Sequence, residues 1–268
     1  MNNLYRDLWR LLKGLNSVEP TYVKIPVRTR KGIVKMMLWP ILAPHELVFN
    51  LASRGVLNDF MLGSISQQEF WEKFKLEPGF QKMCEYFGPD IGEVLALRLH
   101  GDEGILHNMK GVMVFSIGGL KHSQDVYKSR LLLTVIPGTK YTYGKRKLAA
   151  YKRGRNKVTV KARQLKFNRT LEAVSQFLFE SFACLAEGRF GTTPFTNSEF
   201  TQLGEKMQGK PLMRAALVGI KGDWKFEKEF FQQGRGWSSK CICVWCDASV
   251  DHVTPFVDQL MYIICFDA

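Results

Sequence analysis

Leu97-Arg98-Leu99-His100-Gly101-Asp102-Glu103-Gly104 and, much later, Ala215-Ala216-Leu217-Val218-Gly219-Ile220-Lys221-Gly222-Asp223 share one plan: an apolar run that breaks at Gly-Asp. The first run, from Glu93 to His100, is rich in Val94, Leu95, Ala96, Leu97 and Leu99 and reads as a strand ending at a turn. Gly111 to Ile117 follows closely as a second strand, and Arg130 to Ile136 as a third that stops at Pro137-Gly138. The short link between the first two predicts antiparallel neighbours. Thr170 then opens an amphipathic helix as its cap. Leu171, Val174, Phe177, Leu178, Phe182 and Leu185 form the buried stripe, and Gly188 ends the helix. A loop through Thr192, Pro194 and Gly209 leads to Met213 to Ile220, the fourth strand, and Trp224 to Gln232 reads as a further helix. The order is strand, strand, strand, helix, strand, helix, with Asp102 closing the first strand and Asp223 the fourth.

Outward from this block, Asn2 to about Tyr86 reads as mostly helical. Leu4, Leu8, Leu11 and Leu12 share one face, His45 to Leu62 and Gln67 to Phe74 give further helices, and Pro40, Pro44 and Pro78 interrupt them. The expected division is an N-terminal mainly helical region, 1–90, and an α/β core, 91–268. The core carries a basic insertion (139–169) and a Cys-containing insertion (233–258). No run of about 18 apolar residues is present, and Met1 to Leu15 mixes polar and charged residues with its leucines. The expected location is therefore nucleus or cytoplasm, with no membrane partner.

The formal charge of +13 points to a polyanionic partner, and its distribution is sharper than its size. Between Val126 and Leu171 lie fourteen Lys and Arg and no Asp or Glu; without them the +13 falls to −1. Twelve of these are the candidate phosphate contacts: Lys140, Lys145, Arg146, Lys147, Lys152, Arg153, Arg155, Lys157, Lys161, Arg163, Lys166 and Arg169. Tyr141, Tyr143, Tyr151 and Phe167 are interleaved with them, which suits nucleic-acid contact better than a merely solvated loop. Val158, Val160 and Ala162 alternate like a small hairpin arm.

Three of the six cysteines form Cys241-Ile242-Cys243-Val244-Trp245-Cys246. Cys-x-x-Cys presents two thiolates to one tetrahedral ion, so Cys241, Cys243, Cys246 and His252 are candidate Zn²⁺ ligands, with Cys265 also in reach; free structural thiols are the alternative. Cys84 and Cys184 sit among apolar neighbours and read as small buried hydrophobes. His45, His100, His107 and His122 show no metal-ligand spacing, and no phosphate-binding glycine loop of the Walker type is present.

The element order resembles the ribonuclease H-like fold, whose parallel pairing of strands one and four would bring Asp102 and Asp223 face to face. Neighbouring strand residues point to opposite faces, so Asp102 and Glu103 cannot both aim at that site. The landmarks Leu97 to Glu103, Val135-Ile136-Pro137-Gly138-Thr139-Lys140, Leu178 to Gly188, Ala215 to Asp223 and Cys243-Val244-Trp245-Cys246, in this order, resemble CACTA-type and related cut-and-paste DNA transposases. The resemblance spans roughly Leu95 to Ala248. It implies that Asp102 and Asp223 are the first two members of an Asp-Asp-Glu set that binds Mg²⁺ and cuts and joins DNA. The third member would lie on a helix after a fifth strand, for which Gln259 to Phe266 is the candidate. Glu227 and Glu229 are too close to Asp223, and Asp247, Asp251 and Asp267 fit that slot poorly. Two expectations therefore stand together: an active Mg²⁺-dependent transposase or nuclease, and a truncated or inactive relative that binds nucleic acid without cutting it. Each Asp also has a plainer role, Asp102 as a turn residue and Asp223 as a helix cap. Target site, DNA against RNA, and homo-oligomer against monomer stay open.

Overall fold

The computed structural model describes residues 18–57, 66–76, 80–104, 111–119, 130–147 and 164–222, together with Phe226 and Phe230; at 145–147 and 164–166 it describes the backbone alone. Within these residues the chain is mixed α/β. Four strands, β3 (Leu95–Gly104), β4 (Val112–Gly119), β5 (Arg130–Pro137) and β8 (Ala215–Gly222), form one sheet in the order β5-β4-β3-β8. The first three are antiparallel neighbours, and β8 runs parallel to β3. A parallel partner needs a long crossover, and helix α4 (Arg169–Glu187) lies within it.

Alternation along the strands gives the sheet two apolar faces. Leu95, Leu97 and Leu99 of β3 with Met113, Phe115 and Ile117 of β4 share a core with Leu171, Val174, Phe177, Leu178 and Leu185 of α4. On the other face Ala96, Ala216 and Val218 pack against Trp71 and Phe74 of α2 (Gln67–Phe74), Met83 and Phe87 of α3 (Phe80–Phe87), and Ile91. Each fully buried Leu or Phe is worth about 1.5–3 kcal/mol. The Trp71 Nε1–H also donates to the Val94 carbonyl at 2.7 Å, which ties α2 to the start of β3. This second cover stops short. Beyond Ala96 the same face of β3 carries Arg98, His100 and Asp102.

The start expected to be mainly helical contains a β-hairpin, β1 (Thr21–Arg28) paired antiparallel with β2 (Val34–Ile41). Thr21, Val23, Ile25 and Val27 are buried while Tyr22, Lys24 and Arg28 are exposed, a period of two that a helical reading overlooks. The hairpin belongs to the main core: Val23, Ile25 and Val27 lie in the same apolar cluster as the α4 stripe. Thr170 Oγ1–H donates to the Pro26 carbonyl at 2.7 Å and accepts the Thr142 N–H at 2.9 Å. Helix α1 (Pro44–Ser53) matches the first part of the helix expected over His45 to Leu62, and α2 that over Gln67 to Phe74. Residues 1–17 and 58–62 lie outside the described residues.

Helix α4 keeps its expected stripe and its Gly188 terminus, a left-handed C-cap at φ 70° that glycine adopts without steric cost. Its start is corrected. The cap is Asn168, whose Oδ1 accepts the Leu171 N–H at 3.2 Å, because Thr170 lies inside the helix with its hydroxyl already engaged by β1. The loop before β8 contains one short helix, α5 (Gln202–Met207).

Candidate functional site

Asp102 lies inside β3, not at a turn after it. Its register partner on β4 is Val114, and the strand continues to Gly104, so the turn role expected from His-Gly-Asp-Glu-Gly is corrected. The cause is the length of β4, whose partners extend the ladder to Gly104. The Asp102 side chain is exposed, as a metal- or substrate-facing carboxylate must be. Glu103 points the other way: a Cβ added at Gly111 would run into the Glu103 carboxylate, so Glu103 does not share the Asp102 face.

Asp223 lies outside the described residues, but Gly222 before it is described. Gly101 and Gly222 are register partners across the parallel pair β3–β8, and each immediately precedes one of the two aspartates. Both glycines are required by Phe226. A Cβ on Gly101 would fall inside the Phe226 ring, and one on Gly222 would lie 2.7 Å from Phe226 Cγ and 2.7 Å from the Gly101 carbonyl oxygen. The ring is held there by Phe115 at 5.7 Å between centroids and by Phe230, stacked at 4.9 Å. Phe226 and Phe230 are both helical, and the Phe226 ring packs onto the ends of β3 and β8.

The face that carries Asp102 also carries cations. Arg130 Nη1 lies 3.3 Å from His100 Nε2, and Lys221 is the register partner of His100. Burial first, then Arg130, with Arg98 and Lys221, hold His100 down to about 4 against the opposing pull of Asp102. Its imidazole is neutral at physiological pH. Burial and the neighbouring Arg130 also lower the Arg98 guanidinium.

The basic segment begins as a two-stranded ribbon, β6 (Tyr143–Lys147) paired antiparallel with β7 (Gln164–Asn168). Its register sets Lys145 opposite Lys166. Arg146 and Lys147 share the ribbon, Lys140 is half-buried in the preceding turn, and exposed Arg169 opens α4. Lys152, Arg153, Arg155, Lys157, Lys161 and Arg163 lie outside the described residues, as do the arm over Val158 to Ala162, Cys241, Cys243, Cys246, His252, Cys265 and every candidate third carboxylate. Among the described residues no group of three His, Cys, Asp or Glu is placed to hold a metal ion. Among them, too, no helix is long and apolar enough to cross a membrane. Cys84 and Cys184 are free thiols, half-buried and buried respectively.

Two other arrangements drew no signal from the sequence. His45 Nδ1 and Ser181 Oγ lie 2.8 Å apart, the spacing of a base and a nucleophile. Yet Ser181 is 0% and His45 2% exposed, and burial holds His45 down to about 3, so the pair joins α1 to α4 beyond the reach of any substrate. A cleft lined by Glu72, Asp90 and Glu93 beside Trp71 and Cys84 is acidic, the wrong sign for a polyanion.

Comparison of the chain with protein-family models, with curated proteins and with solved structures finds no match.

Proposed function

We propose that the chain is a DNA-binding protein on a ribonuclease H-like sheet, similar in plan to CACTA-type transposases, and that it cuts phosphodiester bonds with a divalent metal. The observation that carries this reading is the register of Gly101 with Gly222, which brings level, on adjacent parallel strands, the two glycines that precede Asp102 and Asp223 in the sequence. The strand order β5-β4-β3-β8 supports it, being the order 3-2-1-4 of the sheet's strands along the chain with only the last pair parallel. The ribbon with Lys145 opposite Lys166 supplies phosphate contacts outside the site.

Asp102 fits a hard cation, being an exposed carboxylate on an open sheet face, and Asp223 would be its partner ligand. Magnesium, when bound there, supplies positive charge to a phosphodiester and its attacking oxygen. Cys241, Cys243, Cys246 and His252 would form a structural zinc site that stiffens the segment after Asp223. The second reading, binding without cutting, is favoured by one observation: among the four strands, Asp102 is the sole carboxylate on its face, amid Arg98, Arg130 and Lys221.

Mg²⁺- or Mn²⁺-dependent nicking of labelled duplex DNA tests both. Asp102→Asn and Asp223→Asn are each expected to lower nicking at least about a hundredfold with binding intact, the scale of losing several kcal/mol of charge stabilisation. Salt-sensitive binding by the wild-type chain with no nicking would establish the second reading. Absence of both would refute the proposal.

A further inference from the structure

Strand β2 exposes both of its faces. Val34, Lys35, Met36, Met37 and Leu38 are exposed in succession, whereas β1 buries Thr21, Val23, Ile25 and Val27 on its inner face. Register with β1 puts Val34, Met36 and Leu38 on the face that also carries Tyr22, and Met37 on the opposite face with Ile25. Tyr22, Val34, Met36, Met37 and Leu38, with Ile33 at the turn, are apolar side chains each between 43% and 57% exposed. Together they amount to on the order of 600 Å², the upper end for the largest patch of a monomer and close to the roughly 800 Å² that each partner of a stable dimer buries. The backbone is open as well. Among the described residues β2 pairs with β1 alone, and no backbone hydrogen bond from outside that ladder reaches residues 34–38. The other edge of the hairpin is closed, since the Lys24 N–H donates to the Asn197 carbonyl at 2.9 Å and Val23 bridges to Ser198. At the far end of β2, Pro40 has no N–H, its carbonyl accepts the Thr134 hydroxyl at 3.0 Å, and the Leu42 N–H donates to the Leu133 carbonyl at 2.9 Å. The hairpin thus has one open edge, over one short run.

We propose that residues 34–38 pair antiparallel with the same run of a second copy of this chain, joining two hairpins into a four-stranded sheet about a two-fold axis at Met36. A strand partner meets both needs of the edge. It pairs the open N–H and C=O groups and covers the apolar side chains, whereas the hydrocarbon of a lipid surface would leave the backbone unpaired. The run also complements itself. With Met36 opposite Met36, Val34 of one copy meets Leu38 of the other on the Tyr22 face, and Lys35 meets Met37 on the opposite face, so no two cations stand directly opposed. The hairpin carries four more cations, Lys24, Arg28, Arg30 and Lys31, and no Asp or Glu lies between Glu19 and Glu46. Antiparallel pairing sends the two turns to opposite ends of the sheet, with the Lys31 positions about 33 Å apart, several times the Debye length of about 8 Å. Because the other edge of each hairpin is closed, pairing stops at two copies instead of continuing as a fibre. The inference is independent of the nucleic-acid reading.

The test is sedimentation velocity of the nuclease-treated full chain in about 0.5 M salt, where surface charges are screened within about 4 Å. Concentrations up to about 100 μM are needed, since an interface at the small end of the range gives micromolar affinity. The expected species has twice the 30.7 kDa mass of the chain. Met36→Lys and Met36→Glu each set like charges opposite one another at the axis, and each should weaken the dimer at least about a hundredfold. An equimolar mixture of the two variants should dimerise again, because opposite charges then meet there. Leu76→Lys, which removes a 91% exposed apolar side chain elsewhere, should keep the wild-type dimer. Circular dichroism melting of the Met36 variants should match wild type, since the side chain is exposed. A wild-type chain that stays monomeric would overturn the proposal, as would a dimer that survives both Met36 substitutions or dissolves on nuclease treatment. Two monomeric variants whose mixture stays monomeric would overturn the pairing at Met36. A monomeric wild type that floats with phosphatidylserine vesicles, with flotation lost in Met36→Glu, would reassign the edge to a lipid surface.

Discussion

Gly101→Ala is expected to destabilise the fold by about 3 kcal/mol, the upper range for forcing extra volume into a packed interior. In a chain of this size that corresponds to a melting temperature lower by about 6–12 °C. The added methyl would occupy the Phe226 ring, which is 0% exposed and boxed in by Phe115 and Phe230, so it has nowhere to swing. Gly219→Ala is the control on the same pair of strands. Its methyl meets nothing within 4 Å, and its effect should stay within about 1 kcal/mol of zero, stabilising if the loss of unfolded-state freedom dominates. A double-mutant cycle isolates the contact: Phe226→Ala alone costs about 3–5 kcal/mol, and its combination with Gly101→Ala should cost at least about 1 kcal/mol less than the sum. Additive costs would show that Phe226 does not sit on Gly101. Because Phe226 follows Asp223 by three residues, Gly101→Ala should also lower the proposed nicking in the surviving folded fraction.

The four strands and α4 were legible in the sequence because each carries one strong period bounded by glycine or proline. Leu171 to Gly188 shows this best, with its stripe and its end both matched. Boundaries were less legible, since they depend on partners. Asp102 read as a turn residue because Gly101 and Gly104 suggest a break, yet the β4 ladder and the Phe226 ring both act on that segment from elsewhere in the chain. The hairpin over Thr21 to Ile41 was missed for a related reason. Its outer strand exposes Val34, Met36, Met37 and Leu38, so its apolar residues do not alternate, and only Thr21 to Arg28 shows the period of two. The fourteen clustered cations were plain from composition. The second cationic group was not, because Arg98, Arg130 and Lys221 come from three separate stretches and meet only through strand register.

Glu46→Gln is expected to change markedly how stability responds to pH. Glu46 is 1% exposed in α1; one carboxyl oxygen accepts the Thr201 hydroxyl, and the other, Oε2, has no hydrogen-bond partner among the described residues. Burial pushes its pKa up to about 7, with Glu19 adding to the rise and Thr201 opposing it. The unfolded chain loses this proton near the ordinary value of 4.5 while the folded chain keeps it to about 7. The stability it contributes is therefore full below 4.5 and lost as pH rises through 7, at about 1.4 kcal/mol per pH unit and roughly 3 kcal/mol in all. His45, its neighbour in sequence, has the opposite sign. Burial holds it down to about 3 from 6.5, so its contribution is full above 6.5 and lost as pH falls. Between about 4.5 and 6.5 the two slopes cancel, which masks both in the wild-type chain. Glu46→Gln keeps a polar partner for Thr201 and removes one slope. Urea unfolding of both proteins at pH 4 and pH 8 should show the variant gaining about 3 kcal/mol relative to wild type across that interval. His100 and the remaining groups are common to both chains and drop out of this difference. A difference that does not move with pH would mean that the Glu46 carboxyl ionises in the folded chain as it does in the unfolded one, and that its burial between α1 and Thr201 is relieved by solvent.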